Sequence, residues 1–100
     1  MAYDPGALHS SIAAAVGADH SLMAELHAAF LESAERQLDL MGRSRCDANW
    51  RHSASRLKSL AASFGVAGLQ ALSQEALDGA PGDPVVLRRI RAAIDDFASA

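Results

Sequence analysis

Apolar positions recur along this chain at intervals of three and four, the period of an α-helix with one buried face. The clearest case is centred on Ala54-Ser55-Arg56-Leu57-Lys58-Ser59-Leu60-Ala61-Ala62-Ser63-Phe64-Gly65. Trp50, Ala54, Leu57, Ala61 and Phe64 follow one another at spacings of 4, 3, 4 and 3 and form one stripe. At about 100° per residue, Ser55, Ser59 and Ala62 lie roughly 140–180° away from it. Arg51 and Lys58 flank that outer lane on one side, His52 and Ser63 on the other. A solvated helix face ordinarily carries long Lys and Glu side chains. This lane has no bulky apolar group, so the backbone or helix of a partner can approach it closely.

The rest of the chain divides in the same way. Asp4-Pro5 reads as a cap and first turn, with Leu8, Ile12 and Val16 as a short stripe ended by Gly17. Asp19 is positioned to cap the longest helix, with inner positions Leu22, Leu26, Phe30, Ser33, Gln37 or Leu38, and Met41, and with Gly42 marking its end. Arg43-Ser44-Arg45-Cys46 is a connector, and Asp47 is the expected cap of the Trp50–Phe64 helix. Gly65 breaks that pattern. A new stripe runs through Val66, Leu69, Leu72 or Ser73, and Ala76-Leu77. Asp78-Gly79-Ala80-Pro81-Gly82 is a loop by its Gly and Pro content. Asp83-Pro84 opens the last helix, whose stripe is Val86, Ile90, Ile94 and Phe97. Expected helices therefore cover about 4–16, 19–42, 47–64, 66–78 and 83–98. Four helices with one apolar stripe each and short connections predict an all-α fold, an antiparallel up-down-up-down four-helix bundle, with the short N-terminal helix covering one end.

Composition narrows the function classes. One hundred residues make a single domain, 1–100. Half are apolar, Ala alone supplies 22, and aromatics are few, which suits closely packed helices. No stretch alternates apolar with polar, so a sheet is not expected. A formal net charge of −3 argues against nucleic acid or an anionic membrane as the main partner. Cys46 is alone, which excludes a disulfide framework and a multi-Cys zinc site. The start, Met1-Ala2-Tyr3-Asp4-Pro5-Gly6, lacks the form of a signal peptide, and no apolar run is long enough to span a bilayer. A cytoplasmic location follows as an expectation.

The stretch Ala54-Ser55-Arg56-Leu57-Lys58-Ser59-Leu60, with Gly65 and Leu69 after it, resembles the histidine phosphotransfer (HPt) domains of two-component phosphorelays. Their motif reads Ala-His-x-Leu-Lys-Gly-Ser, with a Gly about ten residues after the His and a Leu four further on. The likeness extends more weakly over nearly the whole chain. Two positions depart from it. The phosphorylated His of the family is Ser55 here, and the usual Gly is Ser59. The resemblance implies the same four-helix layout, a response-regulator receiver domain or a histidine kinase as partner, and a role for Lys58 in holding a phosphoryl group.

The chemistry of Ser55 points away from a relay. An aspartyl phosphate is attacked by a nucleophile that is partly neutral near pH 7, and the product must keep a high transfer potential. A Ser hydroxyl without a base is a poor nucleophile, its phosphate ester would not be passed on, and its short side chain falls short of the acyl phosphate. His52 is the substitute candidate, one turn earlier, but a receiver docked in the usual register would meet it about 4.5 Å along the axis from the acceptor position. Group transfer is sensitive to displacements near 1 Å. His52 reads first as a solvent-facing side chain, whereas Arg51, Arg56 and Lys58 read equally as a solvated face or as complements to an acidic partner. His9, His20 and His27 have no Cys or His-x-x-x-His spacing around them, so no metal is expected, and no cofactor.

These residues predict a monomeric, non-enzymatic HPt-like adaptor or regulator that has lost its phosphorylatable His. Its expected contact set is Arg51, His52, Ser55, Arg56, Lys58, Ser59 and Ala62. Two alternatives stay open. One is an active phosphocarrier that uses His52. The other is a structural bundle unrelated to signalling, in which the lane of small residues is a homodimer seam.

Overall fold

A computed structural model of the protein describes residues 20–99, and the expected N-terminal helix and the Asp19 cap lie outside them. The described residues form four helices: α1 (His20–Arg43), α2 (Asp47–Ser63), α3 (Ala67–Asp78) and α4 (Pro84–Ser99). No strand occurs among them. Contacts join α1 to α2, α2 to α3, α3 to α4 and α4 back to α1, so the helices close a ring around one core. The four-helix bundle predicted from the stripes is therefore the fold.

Two of the helix pairs run antiparallel, as their cross-contacts show. Trp50 and Arg51 at the start of α2 meet Ala76 and Leu77 at the end of α3, while Lys58 further along α2 meets Gln74. His27 and Phe30 early in α1 pack on Phe97 late in α4, and Glu35 further along α1 meets Arg91. The core is built from Phe30, Ala34, Leu38, Met41, Trp50, Ala54, Leu57, Ala61, Leu69, Ala76, Val86, Ile90 and Ile94. Burial of each large apolar side chain in such a core favours folding by about 1.5–3 kcal/mol.

The stripe on α2 is buried as expected, with Phe64 packed at its margin. On α1 the expected stripe is off at two positions. Ala34 is fully buried where Ser33 was expected to face inward, and Leu22 remains 38% exposed. The helix also continues through Gly42 to Arg43, so Gly42 is not its terminus. A Cβ placed on Gly42 would meet nothing within 4 Å.

The connections have identifiable causes. Cys46, not Asp47, occupies the N-cap of α2: its backbone is extended (φ −146°, ψ 159°), no side chain caps the helix, and Asp47 is its first residue. A carboxylate in the first turn still complements the positive end of the helix dipole. After Ser63, Gly65 adopts φ 72°, the left-handed region. Gly65 N–H donates to the Ala62 carbonyl at 3.2 Å and Val66 N–H to the Ala61 carbonyl at 2.9 Å. This is the Schellman end, and Val66 then packs against the core beneath it. Ala80-Pro81-Gly82-Asp83 closes through Asp83 N–H to the Ala80 carbonyl at 3.3 Å, with Gly82 at φ 82°. Pro second and a left-handed Gly third are the signature of a type II turn. Asp83 then caps α4, its Oδ1 accepting from Val85 N–H at 2.9 Å, with Pro84 in the first turn as expected.

Candidate functional site

Half a turn separates Trp50 from Ser59, since nine steps of about 100° end on the opposite side of a helix. Trp50 is 1% exposed, and Ser55 and Ser59 both face outward from α2. The predicted lane is thus on the surface of the bundle. Around it lies an open depression of about 380 Å³ lined by His52, Ser55, Arg56, Ser59, Leu60 and Ser63. These residues form two adjacent rows at four-residue spacing: Ser55, Ser59 and Ser63 in one, His52, Arg56 and Leu60 in the other.

The structure divides the expected contact set. His52, Ser55, Arg56 and Ser59 line the depression together. Arg51, Lys58 and Ala62 do not, because α3 stands on their side of α2. Arg51 donates from its guanidinium to the Leu77 carbonyl at 3.1 Å. Trp50 Nε1 donates to the neighbouring Ala76 carbonyl at 2.9 Å, inside the core. Carbonyls in the last turn of a helix have no partner within it, so consecutive residues of α2 satisfy consecutive carbonyls at the end of α3. Lys58 donates to Gln74 Oε1 at 2.6 Å, and Gln74 Nε2 in turn donates to Asp78 Oδ1 at 2.9 Å. Ala62 is half-buried. Leu60 is the lining residue that the sequence pattern did not mark. Its signal was its place four residues after Arg56 and eight after His52, on the row beside the serines.

The electrostatics of this face are one-sided. From Ala48 to Gln74 the chain has no Asp or Glu, although the whole sequence carries 12 of them. The same segment holds Arg51, His52, Arg56 and Lys58. Arg56 and His52 are exposed and make no side-chain hydrogen bond or ion pair to another described residue. They are therefore available to a ligand, whereas Arg51 and Lys58 are committed to α3. Among the described residues the acidic side chains sit elsewhere, where several are paired: Glu35 with Arg91 at 3.5 Å, Glu75 with Arg89 at 2.7 Å and Asp39 with Arg43 at 2.7 Å. A second depression, of about 510 Å³ between α1 and α4, is floored by Leu38, Leu87 and Ala92 and edged by Arg88, Arg91 and Asp95, so both charge signs meet there.

His27 does not line this depression. It stacks on Phe97 with ring centroids 4.6 Å apart, and its Nε2 is 3.1 Å from the Phe97 carbonyl, which makes it a boundary residue between α1 and α4. No group of three or more His, Cys, Asp or Glu side chains among the described residues is arranged to hold a metal ion. No helix among them is long and apolar enough to cross a membrane.

What the arrangement offers chemically is hydrogen-bond donation and positive charge on a shallow, small-residue floor. It offers no nucleophile set against a base, since no hydrogen bond joins His52 to Ser55 among the described residues. Compared with known proteins, the chain matches no family model, no curated protein and no solved structure.

Proposed function

We propose that this protein is an HPt-like module of a two-component signalling system, without phosphotransfer of its own, that docks on a receiver domain or a histidine kinase through the outward face of α2. The observation that carries the reading is the depression around Ser55. The position that matches the acceptor His of the family opens outward, on a helix face free of acids and floored by small residues. A partner with an acidic surface complements that face in charge and in shape. Ser55 supplies no imidazole, so the module acts as an adaptor or competitor.

The test is a titration of the protein against the receiver domains of its own organism. Binding is expected for at least one of them, and Ser59→Trp, which fills the depression from an exposed position, should abolish it while the helical circular dichroism is retained. Binding that Ser59→Trp leaves unchanged removes this face from the proposal.

His52 lines the same depression as Ser55, which favours a second reading, a phosphocarrier that uses His52. Incubation with a phosphorylated receiver would then yield an acid-labile, base-stable label that His52→Ala loses. Absence of such a label in the unmodified protein rejects it.

A further inference from the structure

The charges on α4 run against the order that a helix dipole favours. Arg88, Arg89 and Arg91 stand in its first half and Asp95 and Asp96 in its second, with no acid in the first turn and no base in the last. A helix is better served by anions near its N-terminus and cations near its C-terminus. Neighbouring helices balance part of this charge: Arg89 pairs with Glu75 at 2.7 Å and Arg91 with Glu35 at 3.5 Å. Arg91 also reaches Asp95 at 3.5 Å. Arg88 and Asp96 are exposed and have no partner among the described residues. Between the two signs lies Ala92, small and exposed. Beside Arg88 and Asp95 opens the depression of about 510 Å³ floored by Leu38 and Leu87. One row along from Ala92, Val85 is 50% exposed.

We propose that this face is the interface of a homodimer in which α4 of two copies packs antiparallel about a two-fold axis at Ala92, with Arg88 of each copy beside Asp95 of the other. Arg88 and Asp95 are seven positions apart, close to two whole turns, so they share one flank of the face, and Arg89 and Asp96 share the other. A two-fold axis perpendicular to the helices keeps each flank on its own side and reverses direction along the helix. A residue three or four places before Ala92 therefore meets one three or four places after it in the second copy, and every contact occurs twice. Arg88 gains an anion in this way, and Asp96 comes to lie near Arg89 of the second copy. The depression leaves room beside Arg88 for the incoming Asp95. Ala92 meets itself at the centre, where a methyl group lets the helix axes approach to about 8 Å. A parallel pairing would set cation against cation, so complementarity of charge selects the antiparallel one. A single pair of helices buries less than the about 1,200–2,000 Å² of a standard interface, so the dimer is weak, with a Kd on the order of 10–100 µM. This departs from the monomer expected from the sequence. It is independent of the docking reading, since α2 and α4 stand diagonally in the ring and the dimer leaves both α2 faces open.

The experiment is sedimentation velocity on the full chain from about 1 to 500 µM, a range that brackets the expected Kd. The mass should rise from one copy to two, and added salt should move that rise to higher concentration. Arg88→Asp and Asp95→Arg each set like charges together at both contacts, and each should hold the chain as a monomer throughout. Both positions are exposed, and both changes suit the helix dipole better than the residues they replace, so the fold should persist, which circular dichroism checks. The two variants mixed in equal amounts restore opposite charges at both contacts and should form a one-to-one dimer, which a mere defect of stability would not produce. A monomer at every concentration overturns the second copy as occupant and leaves the face to residues 1–19 of the same chain or to another protein. A dimer that both variants retain, or that Ser59→Trp dissolves, overturns its assignment to α4. Variants that are monomeric alone and stay so when mixed overturn the antiparallel register. Receiver docking through α2 is measured separately and stands or falls on its own titration.

Discussion

The Lys58 ammonium donates to Gln74 Oε1 across 2.6 Å, and this bond turns the only lysine of the chain away from the depression and onto α3. Gln74 is held in place by its second bond, to Asp78 at 2.9 Å. Lys58 is therefore part of the seam between α2 and α3, whereas Arg56 is exposed and has no side-chain partner among the described residues. The two cations should respond differently to removal. Lys58→Ala should change receiver affinity by no more than about twofold, and Arg56→Ala should weaken receiver binding by about tenfold. The opposite order in a titration would show that Lys58 leaves Gln74 when the partner arrives.

Trp50 is the anchor of the same seam. Its ring is 1% exposed and its Nε1–H satisfies the Ala76 carbonyl at 2.9 Å. Trp50→Phe keeps an aromatic ring and leaves that carbonyl without its partner. Stability should fall by about 1–3 kcal/mol, the cost of an orphaned buried polar group, with some further loss from the space vacated. Urea unfolding followed by circular dichroism measures it. A change below about 0.5 kcal/mol would mean that water takes over the carbonyl.

Two glycines should respond in opposite senses to the same substitution. Gly42 lies within α1 and a Cβ there meets nothing within 4 Å, so Gly42→Ala should raise stability by about 0.5 kcal/mol through helix propensity. Gly82 also has open space around it but sits at φ 82° in the Pro81-Gly82 turn. Gly82→Ala forces an L-residue into a left-handed conformation and should cost about 1 kcal/mol. Thermal melts of the two variants compare them directly.

The register of the family resemblance is testable by restoring what is missing. Ser55→His places an imidazole at the centre of the outward face, and exposure there needs no repacking of the core. After incubation with a phosphorylated receiver, this variant should carry an acid-labile, base-stable label that the unmodified protein lacks. A variant that binds the receiver and stays unlabelled would place the acceptor position elsewhere on α2.

Much of this architecture was legible in the chain because helical periodicity reports azimuth. The spacing of Trp50, Ala54, Leu57 and Ala61 placed them in the core and so placed Ser55 and Ser59 outside. Asp83-Pro84 and Gly65 carried local instructions, a cap and a left-handed stop, which need no tertiary context. Periodicity does not report which neighbour stands beside each flank. Arg51 and Lys58 were expected at the rim of the lane, but α3 packs on that side, and their long side chains reached its carbonyls and Gln74 instead. The missed Leu60 is the same error seen from the other flank. On α1 the Ala-rich sequence blurred the stripe, since Ala34 beside Ser33 gave a period search little contrast. At Asp47 the cap preference of the residue type was right for the region and wrong by one position, because Cys46 holds the extended backbone there.

The acid-free run from Ala48 to Gln74 gives a molecule of net charge −3 a positive pole. An acidic protein drifting nearby is repelled on average and drawn in along one bearing only, so encounters are sorted by orientation before any surfaces touch. Association should accordingly slow as salt is added, while the lifetime of the complex, once formed, stays nearly constant.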